Sequence, residues 1–164
     1  MKITIFSLIN LIAIGCSDHP VSVPRVPQLP DVPISRLEGY PDTITAEGRQ
    51  LYLSTYMWRD FQPISPPDGK PLIALIYITA TDTAPLPESI SSDAVWIVYN
   101  NQVWKSWSEP IAPDERKPNR IAKIARDGPK WGPHVRADVI VRVYDGVCNA
   151  HMLRAANQWI SETD

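Results

Sequence analysis

The side chains best suited to bind a metal ion lie close together near the C-terminus of the sequence. Cys148 and His151 are three positions apart, Met152 follows directly, and His134 precedes Cys148 by fourteen residues. A thiolate, two imidazoles and a thioether make up the ligand set of a blue-copper site, because copper favours soft sulfur and imidazole donors. Copper or another metal ion is therefore one alternative ligand for this protein.

The segment Cys148-Asn149-Ala150-His151, followed by Met152, resembles the C-terminal copper loop of the cupredoxins. The resemblance implies a β-sandwich fold and an electron-transfer role. Met152 directly follows His151, whereas the family leaves a few residues there, and strand alternation would point these two side chains to opposite faces. His134 is also closer to Cys148 than the family's upstream histidine. We therefore expect no bound metal or cofactor.

Sequence patterns of common enzyme classes are missing. The chain contains no Gly-x-Ser-x-Gly elbow and no His-Glu-x-x-His zinc motif. The Gly-Pro pairs at positions 128–129 and 132–133 lack the amide donors that a phosphate-binding loop needs, because proline has no N–H. We expect a protein that is not an enzyme.

The six tryptophans are the best candidates for binding. Trp96 and Trp107 fall on one face of a predicted hairpin, while Trp131 lies in a loop between two Gly-Pro pairs and follows Lys130. Aromatic side chains stack on sugars and anchor protein interfaces. We predict that these four residues contribute to a binding surface. The alternative is that the tryptophans fill the core or cover its edges.

The elements that must position these residues are predominantly strands. Residues 51–58 alternate with a period of two, and residues 72–81 form an apolar run rich in β-branched residues. Residues 135–144 form a further predicted strand, with Val139, Val141 and Val143 on one side. Asn100-Asn101 predicts a tight hairpin that pairs Tyr99 with Gln102, because asparagine tolerates positive φ. About seven short strands separated by proline- and glycine-rich turns predict an all-β fold. We expect an antiparallel, immunoglobulin-like β-sandwich over residues 37–164.

The N-terminus has the features of a signal peptide. Lys2 precedes an apolar run at residues 3–14, which as a helix would be about 18 Å long, too short for a bilayer core of about 30 Å. Ala13-Ile14-Gly15-Cys16 resembles the lipobox of bacterial lipoproteins. The resemblance implies a signal peptide at residues 1–15 and a lipid on Cys16 that anchors the chain to a membrane. Because Ser17 rather than aspartate follows the cysteine, it also implies the outer membrane in a host with two membranes.

Residues 16–36 are predicted to be a disordered tether. Five prolines recur every three or four residues, at positions 20, 24, 27, 30 and 33, and such spacing favours the extended polyproline II conformation. A net charge of −2 argues against nucleic acid as a partner. We expect a lipid-anchored, non-catalytic domain of the cell envelope that binds an envelope protein or a glycan such as peptidoglycan.

Overall fold

The computed structural model describes residues 28–146 and 149–163. This part of the chain contains one short helix and nine strands, in the order α1 (Ile34–Leu37), β1 (Thr43–Ala46), β2 (Arg49–Asp60), β3 (Leu72–Ala80), β4 (Ile90–Tyr99), β5 (Gln102–Trp107), β6 (Glu109–Pro110), β7 (Arg120–Gly128), β8 (Val135–Asp145) and β9 (Asn149–Thr163). The prediction of an all-β fold is confirmed.

The strands form one hydrogen-bonded sheet in the order β5-β4-β8-β9-β2-β3-β7-β6, with β1 added alongside β2. Neighbouring strands are antiparallel, as predicted, except that β2 and β9 run parallel. The two halves of this strongly curved sheet face each other across a common core, which gives the domain its sandwich-like form.

The two ends of the sheet lie close together because β5 and β6 follow each other in the chain but belong to opposite ends of the strand order. Residues of β5 pair with β4, the chain then passes through Ser108, and β6 pairs with β7. Trp104 of β5 lies directly over Gly128 of β7, where an added Cβ atom would come within 2.7 Å of the indole ring. Glycine at position 128 therefore allows the two ends to approach each other closely.

Alternation along the strands builds the main core between the two halves. The burial pattern of β3 changes at every residue, so one side of the strand is fully buried and the other half-buried. The inward-facing residues are aliphatic and come from β1 to β4 and β7 to β9; they include Leu51, Met57, Leu72, Ile76, Ile78, Val95, Ile97, Val139, Val141, Leu153 and Ile160. Burial of this apolar surface is the main stabilising contribution.

A second, smaller core lies on the outer face of β4 and β8. Leu29 and Leu37 of the N-terminal segment pack there against Trp96 and Ile140. The predicted tether extended to residue 36, but its described part, residues 28–36, lies on the sheet, so the folded unit begins before residue 37. Most residues of this segment are exposed, but Leu29 and Leu37 are buried and attach it to the sheet.

The predicted β4–β5 hairpin has the expected register. Tyr99 pairs with Gln102 and Ile97 with Trp104 across the two-residue turn. Asn100 and Asn101 have φ values of 47° and 58°, which is the backbone conformation that this tight turn requires.

Candidate binding surfaces

The outer side of the half-sheet opposite the N-terminal segment carries a group of aromatic residues. We call this group the aromatic face and define it as Tyr52, Tyr56 and Trp58 of β2 together with Trp159 of β9. Tyr52, Tyr56 and Trp159 are 39%, 47% and 45% exposed, and Trp58 is half-buried. Exposed aromatic area of this extent marks a surface suited to contact with a ligand or partner.

The period-two pattern of β2 places these side chains outside. Leu53 and Met57 point into the core, so the intervening Tyr56 and Trp58 point outward and stack with ring centroids 5.3 Å apart and planes 27° apart. Ile160 is the register partner of the buried Met57 and points into the core with it. Its neighbour Trp159 therefore points outward, on the same side as Tyr56. Half-buried Leu75 of β3, the register partner of Tyr56, extends the apolar surface sideways.

Polar groups line one edge of the aromatic face. The guanidinium of Arg136 lies 5.5 Å from the ring centroid of Trp159, and the imidazole of His134 lies 5.9 Å from it. His134 Nε2 is also 3.2 Å from Glu162 Oε1. Exposed aromatic rings bordered by a cation, an imidazole and a carboxylate can contact the apolar face of a sugar ring and hydrogen-bond to its hydroxyls.

Trp131, the loop tryptophan predicted to bind, is half-buried and packs against the main core. Its indole Nε1 donates a hydrogen bond to Gln102 Oε1 at 2.8 Å, and its ring lies 5.6 Å from that of Tyr99. The loop is thus attached to the β4–β5 hairpin, so Trp131 has a structural role at this end of the domain.

Lys130 is exposed, and its Nζ donates to Asp68 Oδ2 at 2.6 Å. Beside this ion pair, the buried Arg59 donates to the carbonyl oxygens of Lys70 at 3.0 Å and Gly132 at 2.7 Å. Burial lowers the pKa of Arg59, and nearby Asp68 partly offsets this effect. These contacts join the loop before β3 to the loop before β8.

Trp96 and Trp107 share one outer face, as predicted, but only Trp107 is accessible. Both rings lie near Arg142, at 5.9 Å and 5.8 Å. Trp96 is 1% exposed because residues 28–37 cover it, whereas Trp107 is 42% exposed. The prediction that Trp96 is available for binding is wrong, because the sequence does not show which face of the hairpin is covered.

A second charged cluster lies beside Trp107. Arg142 donates to both carboxylate oxygens of Asp93, at 2.9 Å and 2.7 Å. This hydrogen bonding raises the pKa of Arg142. The ion pair keeps the guanidinium beneath the exposed ring of Trp107, so Trp107 forms a small surface separate from the aromatic face.

The structure does not bring the two candidate metal-ligating histidines together. His134 precedes Val135 at one end of β8, while His151 is the register partner of Val143 near the other end. At about 3.3 Å per residue, these ends are about 26 Å apart. His151 Nε2 instead lies 3.0 Å from Asp145 Oδ2. Cys148 lies outside the described residues, and among those described no three potential ligands form a metal-binding group.

Sequence reasoning missed the aromatic face, although a signal was present. Tyr52, Tyr56 and Trp58 occupy alternate positions of a predicted strand and so had to share one side. Trp159 joins them only through the pairing of β9 with β2, which brings together residues about one hundred positions apart.

Helices are scarce in the part of the chain that the structure describes, and none there has the length and apolar character needed to cross a membrane. Comparison with protein-family models, with curated proteins and with solved structures finds no match to this chain.

Proposed function

We propose that this chain is a lipid-anchored, non-catalytic domain that binds a glycan of the cell envelope through its aromatic face. The observation that carries the proposal is the cluster of half-exposed aromatic rings on one open side of the sheet. Fully burying such rings would stabilise the domain, so their exposure is more consistent with a contact surface than with packing.

A glycan fits this surface better than a protein segment does. The rings of Tyr56 and Trp58 lie on an open side of the sheet, and pyranose rings present a flat apolar side that can pack against exposed aromatic rings. Arg136 and Glu162, at the edge near Trp159, supply a hydrogen-bond donor and an acceptor for sugar hydroxyls.

The anchoring part of the proposal rests on the lipobox-like segment ending in Cys16, which lies outside the described residues. Lipid on this cysteine would hold the domain at a membrane surface within reach of the envelope glycan. Metabolic labelling with a palmitate analogue tests this part. The wild-type chain should be labelled and Cys16→Ser should not; equal labelling of both would contradict the proposal.

Cosedimentation with purified peptidoglycan sacculi tests the binding part. The wild-type chain should pellet with sacculi, and Tyr56→Ala combined with Trp159→Ala should reduce the bound fraction at least tenfold, because stacking on both rings is lost. Trp107→Ala is the matched control, since it removes an equally exposed tryptophan from another surface and should leave binding unchanged.

Two outcomes would count against a glycan ligand. Binding that survives the double substitution would show that the aromatic face is not the site. A photo-crosslinker at position 159 that captures one envelope protein, with no cosedimentation of the wild-type chain, would assign the face to a protein partner instead.

A further inference from the structure

A cavity opens at the seam where the sheet closes. Residues 94–99 of β4 pair with β5, but after Ser108 the chain leaves β4 and pairs with β7 instead. In the described part of the chain, residues 90–92 of β4 therefore have β8 as a strand neighbour on one side and none on the other. The opening between this free edge and β7 forms the cavity.

The cavity has a volume of about 280 Å³, just below the range typical of drug-sized ligand sites, roughly 300–1,000 Å³, so it suits a smaller ligand. Its walls are largely apolar and include Ile90 of β4, Ile111 of the loop after β6 and Ile121 of β7. The two cationic residues in its lining, Arg120 and Lys123, both belong to β7.

The two cations differ in their partners. Arg120 lies 3.5 Å from Asp114 and is stacked on the ring of Tyr77 at 4.3 Å. Lys123 is half-buried, and none of the described acidic side chains lies within ion-pair distance of it. Its register partner Ile76 belongs to the main core, so the side chain of Lys123 starts from the inner side of β7.

Desolvation lowers the pKa of Lys123, and the more distant Asp93 offsets this only in part. A half-buried ammonium group without a carboxylate partner is unfavourable, and an anion in the cavity would relieve that cost. The lysine therefore favours an anionic occupant over a neutral or cationic one.

Two buried hydroxyl groups lie at the same seam. Ser92 follows the lining residue Ser91, and Ser108 precedes the lining residue Pro110 by two positions. Within the described residues, neither Ser92 Oγ nor Ser108 Oγ has a hydrogen-bond partner. Buried hydroxyls normally have one, but neither serine is among the residues that line the cavity, so the case for a ligand rests on Lys123 and the apolar walls.

We propose that the seam cavity binds a small organic anion, namely a carboxylate carried on an apolar body about the size of one aromatic ring. Lys123 provides the counter-charge, and the isoleucine side chains contact the apolar body. This site is separate from the aromatic face, so the inference does not depend on the proposed function.

Fluorine NMR of the full-length chain tests the proposal with 4-fluorobenzoate as the probe. The neutral 4-fluorobenzamide and the cationic 4-fluorobenzylamine, which have the same ring, are the matched controls. The carboxylate should bind at least tenfold more tightly than either control, because it forms a charge-assisted hydrogen bond with Lys123. Equal binding of carboxylate and amide would overturn the proposal.

Substitution of Lys123 tests whether the probe binds in the seam cavity. Lys123→Met keeps an unbranched side chain one heavy atom shorter and removes its charge, so affinity for 4-fluorobenzoate should fall at least tenfold. Lys117→Met changes an exposed lysine outside the cavity and should leave affinity unchanged. Equal affinities of the two variants would contradict the assignment of Lys123.

A measurement on the unsubstituted chain covers the case in which Lys123→Met does not fold. Limited acetylation followed by mass spectrometry should show that 4-fluorobenzoate slows modification of Lys123 severalfold and does not affect Lys117. Equal acetylation of Lys123 with and without the probe would overturn the proposal.

Discussion

The indole Nε1 of Trp96 lies 3.4 Å from the carbonyl oxygen of Pro30, to which it donates a hydrogen bond. Nearby, Lys105 Nζ donates to the carbonyl oxygen of Leu29 at 3.0 Å and forms an ion pair with Asp31. These contacts hold the proline-containing segment against the β4–β5 hairpin. The segment is therefore part of the folded domain and determines which tryptophans can reach a ligand.

Shortening Leu37 tests whether this segment contributes to stability. Leu37 is fully buried in the small core beneath Trp96, so Leu37→Ala should lower the free energy of unfolding by about 3 kcal/mol, through lost burial and a residual cavity. Urea denaturation followed by tryptophan fluorescence measures the change. Ile64→Ala, at a side chain that is 87% exposed, should change stability by less than about 0.5 kcal/mol. Similar values for both variants would show that the segment is not packed as described.

Closure of the sheet can be tested at Gly128. A methyl group there would lie 2.7 Å from the ring of Trp104, so Gly128→Ala should cost about 1–3 kcal/mol of stability by overpacking. Thermal denaturation should show little effect for Gly39→Ala, where the nearest atom is 3.4 Å away.

A double-mutant cycle separates this contact from a general effect of alanine at position 128. Replacing Trp104 with leucine makes room for the methyl group, so the two substitutions together should cost less than the sum of their separate costs. Additive costs would mean that Trp104 and Gly128 are not in contact.

The ion pair between Lys130 and Asp68 predicts a dependence of stability on pH. The hydrogen bond from Lys130 is the main cause that holds the pKa of Asp68 below its ordinary value of 3.8. Because the pKa is lower in the folded state, the carboxylate stabilises the fold above the unfolded-state pKa. That stability is lost as the pH falls through the folded-state pKa.

Lys130→Met should therefore raise the pKa of Asp68 toward 3.8, as measured by carboxyl NMR titration. The difference in unfolding free energy between wild type and variant should shrink as the pH is lowered below about 4. Lys70→Met is the control. Lys70 Nζ lies 2.6 Å from Asp60 Oδ2, so this substitution should raise the pKa of Asp60 and leave that of Asp68 unchanged. An unchanged Asp68 pKa in Lys130→Met would show that the ion pair does not form in solution.

Local sequence patterns were sufficient to predict much of the fold. Strand alternation, β-branched runs and turn residues act over a few positions, so they determined the all-β class, the hairpin at Asn100-Asn101 and its register. The same alternation placed Trp96 and Trp107 on one face. These features depend on backbone preference and on which side of a strand a residue occupies.

Tertiary structure decided which of these faces are covered. Trp96 is buried because residues 28–37 pack on it, Trp131 is held by Gln102, and Trp159 reaches the aromatic face through the parallel pairing of β9 with β2. Such contacts join residues far apart in the chain, and their selection depends on the total apolar area buried rather than on any local pattern. The sequence by itself therefore determined the strands and their sides, while the three-dimensional packing determined which surfaces remain open for binding.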